Sequence, residues 1–132
     1  CFHDKYDNPA SYRIDKMEEV QVEKSKITGK KQFENFDLNA YKCETFGMYY
    51  GEKADVTLYF PHELLDVMRD RFGDIKPKSD RNGYIVRETI RVSRTFFAWI
   101  AMFEGKVKII EPNNVREQYR SFVEKLYLSV TE

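Results

Sequence analysis

The chain has 132 residues, 42% hydrophobic and 15% aromatic, a composition that suits one globular domain or two small ones rather than a disordered tail. Lys plus Arg and Asp plus Glu number 22 each, so no global basic excess announces a nucleic-acid binder and any anion site must be local. Cys1 and Cys43 show no CxxC spacing, which supports neither a disulfide framework nor a zinc site. No stretch approaches the roughly 18 apolar residues of a membrane span, and a reducing, cytoplasmic setting is expected.

The sequence starts Cys-Phe-His, and Lys5 to Ala10 (KYDNPA) already reads as a turn between strands. A piece of a longer protein is therefore expected, with further strands upstream. From Ser11 to Val22 the apolar residues alternate as Tyr12 and Ile14, slip at Met17, and resume at Val20 and Val22. That slip predicts a long strand with a bulge or sharp bend near Asp15 to Glu19. Lys24 to Lys31 has no sustained period and reads as a connector, its lysines fitting a solvated loop better than a phosphate clamp. Asp37 is a suitable N-cap for a short helix with Leu38, Tyr41 and Thr45 on one side, closed near Gly47. Gly51-Glu52-Lys53 is the expected boundary between a first domain, 1–53, and a second, 54–132.

Beyond the boundary, Val56, Leu58 and Phe60 alternate with Thr57 and Tyr59, the mark of a half-buried strand. Pro61 opens a helix whose stripe of Leu64, Leu65, Met68 and Phe72 ends at Gly73. Strands over Ile75–Lys78 and Gly83–Arg91 follow, joined around Ser79 to Gly83, where Asn-Gly is a strong hairpin signal. Ser93 caps a helix carrying Phe96, Phe97, Ile100, Ala101 and Phe103, closed by Gly105. A last strand over Lys106–Glu111 leads through Pro112-Asn113-Asn114 into a third helix with Val115, Tyr119, Phe122, Val123, Leu126 and Val130 on one side. The order strand, helix, strand, strand, helix, strand, helix predicts an α+β fold: the split βαβ, ferredoxin-like arrangement with an added C-terminal helix.

Few groups converge as catalysis requires. His3 lies at the start of the chain and His62 at a strand-to-helix junction, Glu18 and Glu19 point to opposite faces of any strand, and no Gly-rich phosphate loop, GxSxG or HExxH occurs. No enzyme, cofactor or metal is expected. The outward face of the second sheet is more informative. It should carry Thr57 and Tyr59 together with Arg87, Thr89, Arg91, Lys106 and Lys108. Such a face can stack a base on Tyr59 and pair phosphates with Arg87, Arg91 and Lys108, as other four-stranded sheets do for single strands. It can equally be an ordinary solvated sheet surface. Arg69 and Arg71 read as a solvated helix flank, and Phe96, Phe97, Trp99 and Phe103 as core and dimer contact. Arg13 and Lys16 on the bent strand are either re-aimed by the bulge towards a ligand or paired with Asp15 or Glu18.

Ser11-Tyr12-Arg13-Ile14-Asp15-Lys16-Met17 resembles the strand that follows the Trp-Tyr-Leu motif of WYL-domain transcription regulators. Phe36-Asp37-Leu38 through Phe46-Gly47-Met48 resembles the helix at the end of that domain. Residues 55–112, with VTLYF, RFG, FFAWI and IIEP in order, resemble its C-terminal extension. The resemblance implies the end of a Sm-like or SH3-like β-barrel followed by the ferredoxin-like domain, within a bacterial cytoplasmic regulator. Such regulators read duplex DNA through a helix-turn-helix domain, here expected outside this chain, often as dimers. It further implies an effector, with single-stranded nucleic acid or a nucleotide the leading candidate. Arg13 matches a ligand position of the family, and Lys16 stands where arginine is usual, keeping the charge but losing the bidentate fork.

Overall fold

The computed structural model describes residues 1, 10–47 and 51–132; all but Ala10 of the turn expected over Lys5 to Ala10, and the helix position Met48, lie outside the described residues. The chain forms two compact units, Cys1–Leu38 and Asn39–Glu132.

In the first unit no strand occurs among the described residues. Where a bent strand was expected, Ile14–Lys16 forms a single 3-10 turn and Glu19 takes a φ of 51°. The bend thus falls where the hydrophobic slip placed it. Ladder pairing does not follow, because an extended segment holds as a strand only when a neighbour takes its backbone groups. Tyr12, Ile14, Val20 and Val22 remain exposed, Val22 by 98%. Helix α1, Lys30–Glu34, begins after Gly29, whose φ is 82°. The connector read from the sequence therefore ends in a helical turn.

Helix α2, Leu38–Glu44, starts at the last residue of the first unit and otherwise belongs to the second, where it precedes strand β1, Lys53–Pro61. A 3-10 turn, His62–Leu64, leads into α3, Leu65–Phe72, and β2, Lys78–Asp80, pairs with β3, Gly83–Arg91. Helix α4, Arg94–Ala101, strand β4, Lys108–Glu111, and helix α5, Asn113–Thr131, complete the chain. The sheet order is β2-β3-β1-β4 with every pairing antiparallel. This is the split βαβ topology: β3 lies between β1 and β2, and β1 lies between β3 and β4. The α+β class and the added C-terminal helix agree with the sequence reading.

Alternation in β1 settles which face is buried. Val56, Leu58 and Phe60 are fully buried, and on β3 Val86 opposite Leu58 and Ile90 opposite Ala54 fall on the same face. Met68 and Phe72 of α3, Phe96, Phe97 and Ile100 of α4, and Val107 and Val115 join this core, as do Phe46, Ile75 and Ile109. Burial of each such side chain contributes about 1.5–3 kcal/mol. Gly83 is required for a reason other than the hairpin expected of Asn-Gly. The two-residue loop is Arg81-Asn82, since Asp80 pairs with Gly83. A Cβ on Gly83 would lie 2.2 Å from the Phe60 carbonyl oxygen, so the glycine permits close approach of β3 to β1.

Phe46 is the core member least visible in the sequence. Its ring lies 5.1 Å from Phe96, 5.3 Å from Trp99 and 6.2 Å from Phe72. Arg71, expected on a solvated flank, places its guanidinium 3.7 Å over the Phe46 ring and donates to the carbonyls of Lys42 and Thr45 at 3.2 and 2.9 Å. Arg69 does lie on the exposed side. The Phe46 carbonyl accepts from Thr95 Oγ1 at 2.7 Å. The end of α2 is thereby tied to α3 and to the start of α4.

Candidate functional site: the open face of the sheet

The helices fill one face of the sheet, and the alternate residues of β1 occupy the other. Directly opposed residues on antiparallel strands project to the same side, so Asp55 meets Thr89, Thr57 meets Arg87, and Tyr59 meets Ile85 on one flank and Lys108 on the other. Of the expected site residues, Tyr59, Arg87 and Lys108 are brought onto one surface.

The surface is electrostatically matched. Asp55 accepts from Thr89 Oγ1 at 2.8 Å and from Arg87 Nη2 at 3.3 Å. Lys108 Nζ stands 5.7 Å over the Tyr59 ring, a cation–π arrangement. Lys106 Nζ donates to Glu63 at 2.8 Å, and that carboxylate raises the lysine's amine above its ordinary range. Tyr59, Glu63, Glu104, Lys106 and Lys108 border a shallow depression of about 350 Å³. Asp55 is the counter-charge at the centre of this face. The β1 alternation that placed Thr57 and Tyr59 there places Asp55 there too.

Arg91 departs from its expected role. Its side chain is only 12% exposed. It donates from Nη1 to the Gly51 carbonyl at 3.3 Å, and its Nε lies 3.9 Å from Glu44 Oε2, which also takes Lys53 Nζ at 2.8 Å. Arg91 ends β3 opposite Lys53, where Glu44 and Gly51 sit against it. It is a strut, not a member of the open surface.

Arg13 and Lys16 belong to the first unit. Arg13 grips Asp15 with two hydrogen bonds, of 2.9 Å from Nε and 2.5 Å from Nη2. That pairing holds the Asp15 carboxyl below its ordinary range and raises the guanidinium's pKa. The ion pair is the structural alternative foreseen for this arginine. Lys16 is exposed at the end of the 3-10 turn. His62, unmatched to any catalytic partner by sequence, packs edge-on to Tyr84 with ring centroids 4.9 Å apart.

No helix among the described residues is long and apolar enough to cross a membrane. Compared with known families, residues 52–127 match the WCX domain. The match runs from just before β1 into the last turns of α5. A search of curated proteins finds no match.

Proposed function

The chain belongs to the WCX domain family, and from that premise we propose that it is the effector-sensing and oligomerisation region of a bacterial transcription regulator. Its open sheet face receives single-stranded nucleic acid or a nucleotide-like anion. The observation that carries this reading is the convergence of Tyr59, Arg87 and Lys108 on the face the helices leave uncovered. Tyr59 offers a base a stacking surface, worth about 1–3 kcal/mol per base. Arg87, 68% exposed, and Lys108 offer charge to phosphates. The present partner of Arg87, Asp55, does not compete strongly, since an exposed ion pair contributes about 0–1 kcal/mol. The module binds and does not catalyse. A duplex-reading helix-turn-helix domain elsewhere in the protein takes up the signal, through a ligand affinity that differs between active and inactive arrangements.

Anisotropy of a short labelled oligothymidylate tests this. Wild-type binding should weaken as salt rises, because phosphate contacts release counterions, and Tyr59→Ala with Lys108→Ala should lose about tenfold or more. Binding that ignores both changes would sink the reading. A second reading, a dimerisation module with no ligand, draws on α5, where Val123, Leu126, Tyr127 and Val130 form an apolar stripe that is increasingly exposed, Val130 by 82%. Absence of oligonucleotide binding, together with a sedimenting dimer dissolved by Val123→Glu and Val130→Glu, would put that reading first.

A further inference from the structure

A groove of about 630 Å³ runs between α4 and α5, within the roughly 300–1,000 Å³ range of small-molecule sites. Its apolar lining is Val92, Phe97, Phe122 and Leu126, with the Phe97 and Phe122 rings 5.8 Å apart. Two cations, Arg94 and Lys125, stand on its rim, both exposed, and no carboxylate lines it.

The chain as a whole balances acidic and basic residues at 22 each, so this positive rim is a local feature. Several exposed cations of the second unit meet carboxylates: Arg87 with Asp55, Lys53 with Glu44, Lys106 with Glu63, and Arg120 with Glu124. Arg94 and Lys125 have no such partner among the described residues. An apolar trough with two uncompensated positive charges at its lip matches a ligand of the opposite pattern. Its body should be apolar and its head a single anionic group.

We propose that the groove binds an amphipathic monoanion, a carboxylate carried on an aliphatic or aromatic body. The head lies between Arg94 and Lys125, and the body lies along Phe97, Phe122 and Leu126. Bound there, it bridges α4 to the part of α5 beyond Phe122, whose residues are otherwise exposed. This site is distinct from the open sheet face and does not depend on it.

The full chain is titrated with octanoate and octanol in displacement of anilinonaphthalene sulfonate, followed by fluorescence. Octanoate should act at about a tenfold lower concentration than octanol, the scale of one charge-assisted contact. The double variant Arg94→Glu, Lys125→Glu should erase that difference with its circular dichroism unchanged. Arg94→Gln with Lys125→Gln serves if the reversal disturbs folding. Tyr59→Ala with Lys108→Ala, which disables the sheet face, should leave octanoate binding intact. Equal potency of the two probes, or a preference that survives charge removal, overturns the proposal. No displacement at all, together with a dimer that Leu126→Lys converts to monomer, overturns it too and assigns the groove to a second copy of the chain.

Discussion

Glu88 stands directly opposite Val56 in the β1–β3 register, on the helix-facing side of the sheet. Burial pushes its carboxyl above the ordinary range, and among the described residues no cation or hydrogen bond offsets that shift. The folded chain therefore holds this proton more tightly than the unfolded chain. The resulting stabilisation is fully present below the ordinary glutamate value of about 4.3 and is lost as pH rises through the higher folded value. Glu88→Gln removes the ionisation and keeps the shape. Its urea midpoint should exceed wild type at pH 7, and the two should coincide below about pH 4. An equal gap at both pH values would show that the carboxyl is not penalised by burial. At this scale the sequence reveals the face a residue occupies but not its cover. Alternation put Arg87 and Arg91 on one surface, and the structure leaves Arg87 open while Glu44 and Gly51 close over Arg91. That closure depends on a chain segment forty residues away, which no local period encodes.

Among the elements, those whose local chemistry is complete were legible. Ser93 is the clearest: its backbone is extended and its Oγ accepts from the Phe96 N–H at 3.2 Å. The hydroxyl also lies 2.8 Å from Thr95 Oγ1, which donates to the Phe46 carbonyl. The cap therefore starts α4 and steadies the Thr95 bridge. Ser93→Ala should cost about 1 kcal/mol of unfolding free energy, with Ser93→Thr restoring most of it. A neutral Ser93→Ala in urea denaturation would assign the start of α4 to packing alone. The β1 alternation and the Gly73 stop, with φ at 81°, were equally local and equally readable. The extended reading of residues 11–22 failed for the opposite reason. Its apolar period was strand-like, but a strand needs a partner, and the described residues of that unit provide none.

At the scale of the whole molecule, the sequence boundary near Lys53 and the physical one differ in what they keep together. Among the described residues, all fifteen members of the hydrophobic core, Phe46 included, belong to the unit Asn39–Glu132, whereas the family match begins at residue 52. A chain of residues 39–132 should accordingly unfold in one cooperative transition. A chain starting at Lys53 keeps every strand but loses Phe46. It exposes the rings of Phe72, Phe96 and Trp99 and strips Arg71 of the Lys42 and Thr45 carbonyls. Removing a buried phenyl group costs about 3–5 kcal/mol, a large share of the stability of a domain this size. The shorter chain should therefore melt well below the longer one, and Phe46→Ala in the longer chain should reproduce most of the loss. Indistinguishable urea midpoints for the two chains would make α2 and Phe46 an appendage and return the boundary to Lys53. The expected gap would instead make the segment before β1 part of the fold that presents Tyr59 and Lys108. The sheet order was legible because each hairpin and crossover is short. Phe46 was not, because its role rests on contacts with α3 and α4 that lie far along the chain.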